Sequence, residues 1–111
     1  MRVLVIGAGY VGVTVATVFS ERGHEVVLCE RDGEKLVRLR RGELPFFEPG
    51  LQEAYSAAQS LGLFAVQRVA RALGAWADAV FVCIGTPSGD GGELDTSGLF
   101  ELCRSLPPMR R

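Results

Sequence analysis

The sequence predicts an α/β fold: a doubly wound parallel sheet of which the chain carries the first half and the fourth strand. Three observations predict it. Short apolar runs of strand length alternate with stretches of helical periodicity, and short loops join them, the pattern that gives a parallel sheet with right-handed crossovers. The first strand runs straight into a glycine-rich turn that opens a helix. A late apolar run, Asp78–Ile84, ends in another glycine-containing loop, as a strand across the switch point of such a sheet would.

Each element has its own reason. Arg2–Ile6 reads as a buried strand, with four apolar residues after one charge. Gly7–Gly12 is the turn, and Tyr10–Arg22 is helical, with Val11, Val15, Val18 and Phe19 as its apolar face and Gly23 as its stop. Glu25–Cys29 is the second strand, with Glu30 at its carboxyl end. Asp32 caps a helix to about Arg41, which Gly42 ends. Pro45 and Pro49 keep Glu43–Pro49 a loop. A helix over Leu51–Leu61, a short strand over Leu63–Gln67, a short helix over Val69–Gly74 and a last helix from Leu99 to Leu106 complete the chain.

Composition narrows the function classes. The 111 residues allow one small domain, and 48% hydrophobic against 23% charged residues predicts collapse into a globule. A formal net charge of −1 argues against nucleic acid and against a membrane surface as partners. The longest apolar runs fall far short of the roughly 20 residues of a membrane helix, and no signal-peptide pattern opens the chain, which predicts a cytoplasmic protein. Cys29, Cys83 and Cys103 are odd in number, widely spaced and without metal-ligand spacing, so they suit a reducing compartment and no metal site is expected. Cys29 and Cys83 fall in predicted strands and read as inert core thiols, and His24 reads as a surface residue in a turn.

The hexapeptide Gly7-Ala8-Gly9-Tyr10-Val11-Gly12 fits G-x-G-x-x-G between a strand and a helix, the signature of a Rossmann-like dinucleotide site. Gly7 permits the tight turn, Gly9 lets a pyrophosphate approach the backbone, and Gly12 lets helix and strand pack closely. The helix N-terminus supplies free N–H groups and partial positive charge. Glu30 lies eighteen residues after Gly12, where a carboxylate accepts from ribose hydroxyls and repels a 2′-phosphate. That favours NAD over NADP as cofactor. Arg31 beside it pulls the other way, since an arginine there can pair with a 2′-phosphate.

VIGAGYVG at the start, LPFFEPGL at Leu44–Leu51 and IGTPSGDGGELD at Ile84–Asp95 together resemble the UDP-glucose/GDP-mannose dehydrogenase family, over nearly the whole chain to about Phe100. The resemblance implies that residues 1–111 are a partial NAD-binding domain, with the chain diverging from the family after about residue 100. It implies further roles: Val11 lining the adenosine side of the turn beside Tyr10, Glu30 holding the ribose where the family usually has Asp, Lys35 reaching the cofactor, and Thr86 contacting its nicotinamide half. Phe47 stands where the family usually has Tyr, and the loop around it reads as caps and core, with Glu48 and Pro49 placed to start a helix.

The family oxidises the C6 alcohol of a nucleotide sugar to a carboxylate with NAD, through a downstream cysteine. The resemblance places that cysteine and its helpers beyond this chain, so no catalytic residue is assigned here and the chain alone is expected to be inactive. The nucleotide sugar is then a partner only of a full-length enzyme. Two other readings use the same turn: the FAD-binding front end of a flavoprotein, and a non-catalytic nucleotide-binding module or remnant. Ala79–Ile84 would be an unpaired apolar sheet edge, a site for self-association.

Overall fold

The computed structural model describes residues 1–62, 64–68, 73–84 and 97–105. In chain order these form β1 (Arg2–Ile6), α1 (Tyr10–Glu21), β2 (Glu25–Cys29), α2 (Gly33–Arg40), α3 (Leu51–Ser60), β3 (Phe64–Gln67), α4 (Leu73–Trp76), β4 (Ala79–Val82) and α5 (Ser97–Ser105). The sheet has the order β3-β2-β1-β4 and every pairing is parallel. Val3 pairs with Val26 on one side and Ala79 on the other, so the strands start level and end at a common carboxyl edge. Among the described residues β4 has no strand on its outer side.

Both sheet faces are covered, as the continuous apolar runs require. Val3 and Val5 point to one face, where Val13 and Ala16 of α1, Leu36 and Leu39 of α2 and Tyr55 of α3 pack on them. Leu4 and Ile6 point to the other, against Ala77 with Leu73, Trp76 and Leu102 of the α4 and α5 side. The strand period of two thus divides one run of apolar residues between two cores.

Helix α1 departs from the expected face. Val11 and Val18 are 60% and 45% exposed, while Gly12, Val13, Ala16, Thr17 and Ser20 are buried. Val15 and Phe19 are only partly buried beside that stripe. Residues 13, 16, 17 and 20 follow the i, i+3, i+4, i+7 spacing, and they are small. Val11 and Val18 lie off this stripe and turn outward. Ser20 donates its hydroxyl to the Ala58 carbonyl of α3 at 3.4 Å, whereas the buried Thr17 hydroxyl has no partner.

The stops were legible. Asp32 caps α2, accepting from the amides of Glu34 and Lys35 at 3.0 and 3.2 Å. Gly23 and Gly42 follow α1 and α2 at φ of +87° and +85°, a conformation that costs glycine nothing. Pro49 is not the first residue of α3 as expected. Gly50 takes a left-handed conformation as the N-cap, and the helix begins two residues after Pro49, at Leu51, the start expected for its periodic run. The short helix expected over residues 69–74 lies at Leu73–Trp76, with residues 69–72 outside the described part. It is anchored where Leu73 and Trp76 reach the second core. Helix α5 starts at Ser97, two residues before the expected Leu99.

The LPFFEPGL segment divides by residue. Leu44 is buried and Phe46 packs on the same core, whereas Phe47 is 88% exposed and takes no part in it. Gln52 braces the segment, accepting from the Leu44 amide at 3.1 Å and donating to the Gly42 carbonyl at 2.6 Å. Behind it the buried Tyr55 hydroxyl donates to the Leu39 carbonyl at 2.7 Å, and burial pushes the Tyr55 phenol well above its ordinary pKa.

Candidate dinucleotide-binding site

The turn after β1 is built by the strands on both sides of it. The Gly7 amide donates to the Cys29 carbonyl at the end of β2 at 2.9 Å, and the Cys83 amide beyond β4 donates to the Ile6 carbonyl at 2.7 Å. These bonds carry the sheet one residue past the strands and hold Gly7 between two backbones. Gly7 has φ +103°, and a Cβ there would lie 2.6 Å from the Cys83 carbonyl oxygen. Only glycine suits that position, on both counts. A Cβ on Gly12 would lie 1.8 Å from the Gly7 carbonyl oxygen, so the first turn of α1 rests directly on the loop.

Gly9 is different. It is the N-cap of α1, with an ordinary extended φ of −80° and no side-chain cap. A Cβ there would meet nothing within 4 Å. Neither backbone conformation nor internal packing therefore asks for glycine at this position. A side chain at an N-cap position lies beside the amides that open its helix, which have no partner within the helix. A ligand approaching those amides is a reason for its absence.

Glu30 stands beside this turn. Its side chain is 8% exposed, and its two oxygens accept from the Ala8 amide at 3.1 Å and the Asp32 amide at 2.9 Å. Its own amide donates to the Gln67 carbonyl of β3 at 2.9 Å. A carboxylate fixed by two backbone donors keeps lone pairs for further donors such as a vicinal diol. Asp32 and Ala8 are the residues whose part in the site the sequence reading missed. Asp32 was visible as a helix cap, but that its amide also fixes Glu30 follows only from the fold.

The structure brings together Gly7, Gly9, Gly12 and Glu30 at the carboxyl edge of the sheet. Tyr10 and Val11 form the exposed start of α1, with the Tyr10 ring edge-on to Phe46 at 5.9 Å. Lys35 is half-buried in the first turn of α2. Thr86 and the rest of its loop lie outside the described residues. His24 sits at the opposite, amino end of the sheet, its Nδ1 2.8 Å from the Met1 amine and its ring tilted on Phe19. It is half-buried and far from the turn. Cys29 is buried within β2, and Cys83 lies one residue past β4, half-buried against the turn. Burial raises the Cys83 thiol pKa, which disfavours the reactive thiolate.

Among the described residues no group of His, Cys, Asp and Glu is placed to hold a metal ion, and no helix is long and apolar enough to cross a membrane. A shallow groove lined by Val27, Phe64, Ala65 and Trp76 lies toward the amino end of the sheet and shares no residue with the turn.

Residues 1–110 match the model of the UDP-glucose/GDP-mannose dehydrogenase family, NAD binding domain. The chain belongs to this family. It is 42% identical to the UDP-glucose 6-dehydrogenase of Pseudomonas aeruginosa, a match that covers all of this chain and 24% of that protein. Among solved structures it superposes with TM-score 0.88 and 32% identity on a GDP-mannose dehydrogenase from Pseudomonas aeruginosa in a ternary complex, covering 96% of this chain and 24% of that one. With a UDP-glucose dehydrogenase from Pyrobaculum islandicum the TM-score is 0.87 at 35% identity, again over 24% of the longer chain. The chain thus spans about a quarter of the length of these relatives. The family assignment selects the NAD-binding-domain reading over the flavoprotein one.

Proposed function

We propose that this chain binds NAD at the Gly7–Gly12 turn and supplies the cofactor site of a nucleotide-sugar dehydrogenase. The observation that carries the proposal is Gly9, a glycine that the protein's own conformation and packing do not require, placed where a side chain would stand beside the first amides of α1. Those amides would take the pyrophosphate, and Glu30 the adenosine ribose. Tyr10, Val11 and Lys35 would flank the adenosine side, and Thr86 the nicotinamide half. NAD, once bound, supplies the hydride acceptor. What this chain contributes is the holding of it.

The whole-protein reaction we propose is oxidation of a sugar C6 alcohol to a carboxylate, with UDP-glucose the first substrate to try. The 111-residue chain is expected to form no NADH from UDP-glucose or GDP-mannose, since positioning a sugar against the nicotinamide needs groups from beyond the first half of the sheet. The apolar outer edge of β4 is where the isolated chain would self-associate. The setting we propose is the cytoplasm.

The test is calorimetric titration of the chain and of Gly9→Asp with NAD. Aspartate is a good N-cap, so the variant should melt within a few degrees of the wild type. Its side chain and charge oppose a pyrophosphate, so NAD affinity should fall at least about tenfold. Equal affinity in the two proteins would refute the turn as the binding site.

A further inference from the structure

One side chain of the LPFFEPGL segment crosses to the start of α1. The Phe46 ring meets the Tyr10 ring at 5.9 Å between centroids and 66° between planes, the edge-on pairing that aromatic quadrupoles favour. Phe46 is held from behind. It is partly buried and packs on the core that α1, α2 and α3 share. Leu44, on the same segment, is buried, and the Gln52 side chain fixes its amide at 3.1 Å. Pro45 between them restricts its own backbone and that of Leu44. Tyr10 is the first residue of α1, directly after the Gly9 N-cap, and is 51% exposed. A ring so exposed would exchange among staggered rotamers, and the contact with Phe46 selects one of them.

We infer that Phe46 is a positioning residue of the dinucleotide site, which holds the Tyr10 ring in place beside the amides that open α1. The inference rests on the dinucleotide reading above, in which Tyr10 flanks the adenosine side. Phe46 acts through Tyr10 and not on the cofactor itself. A ring fixed before the ligand arrives need not be ordered on binding, and that saving appears as affinity. The segment from Leu44 to Leu51 thereby enters the site, although its own residues serve as core and helix start. Phe47, beside Phe46 in the chain, is 88% exposed and takes no part in this core, which makes it the matched control.

The experiment is calorimetric titration with NAD of the wild-type chain, Phe46→Leu, Phe47→Leu, Tyr10→Ala and the double variant Tyr10→Ala/Phe46→Leu. Leucine keeps an apolar side chain for the core and loses the aromatic contact, and Phe46→Ile repeats that loss with a different shape should Phe46→Leu not fold. Either variant should weaken NAD binding about three- to tenfold. Phe47→Leu should stay within about twofold of the wild type. In the Tyr10→Ala background, Phe46→Leu should add less than about twofold, because the ring it positions is gone. Damage to the core alone would cost the same with and without that ring. Wild-type affinity in Phe46→Leu, or a loss of equal size with and without Tyr10→Ala, would overturn the inference while leaving NAD binding by the wild type intact. A wild-type chain that binds no NAD would instead bring down the dinucleotide reading itself.

Discussion

Replacing Gly12 with alanine is expected to lower the melting temperature by about 10–20 °C. The new Cβ would sit 1.8 Å from the Gly7 carbonyl oxygen, 3.0 Å from the Gly7 carbonyl carbon and 3.4 Å from the Cys83 Cβ. The two nearest atoms are backbone, and that backbone is pinned. The Gly7 amide is bonded to Cys29 and the Ala8 amide to Glu30, so the turn cannot retreat without breaking both. Helix α1 must lift instead, which draws Val13 and Ala16 off the sheet. Overpacking of this kind costs about 3 kcal/mol. Set against a total stability of about 5–15 kcal/mol for a small domain, that is a large share. Thermal unfolding followed by circular dichroism checks it. A drop of under about 3 °C would mean that α1 does not rest on the turn as described.

Glu30→Gln is expected to weaken NAD binding by about ten- to a hundredfold and to cost about 1–3 kcal/mol of stability. Both carboxylate oxygens accept a backbone amide, one from the glycine turn and one from the start of α2. A glutamine offers one oxygen and must turn its NH2 toward the other donor, leaving two donors face to face at a site only 8% exposed. It also lacks the charge that a ribose diol would meet. Titration calorimetry together with denaturant unfolding separates the two effects. Wild-type affinity in Glu30→Gln would remove Glu30 from the site. Wild-type stability would mean that the two bonds from Ala8 and Asp32 carry no weight.

The two variants mark what the sequence could and could not say. The glycine turn and the acid after the second strand were legible because each answers to a local rule: strand, tight turn, helix, strand, carboxylate. The helix stops at Gly23 and Gly42 and the Asp32 cap were legible for the same reason. The buried face of α1 was not. Hydrophobicity favours Val11 and Val18, but Val13, Ala16, Thr17 and Ser20 take the inner side, a stripe in which two of the four residues are polar. Phe47 reads as core by composition and lies on the surface, while Leu44 and Phe46 of the same segment join the core. The pairing of Glu30 with Ala8 and the approach of Arg68 to α2 join residues 22 and about 35 positions apart, and only the fold brings them together.

Backbone amide shifts of the isotope-labelled chain, recorded while NAD is added, decide whether the amides opening α1 and the carboxylate one strand away form a single site for a dinucleotide. Saturable shifts are expected at Gly9–Val13 and Glu30–Lys35. Shifts confined to the groove beside Trp76, or none at millimolar NAD, would contradict that single site.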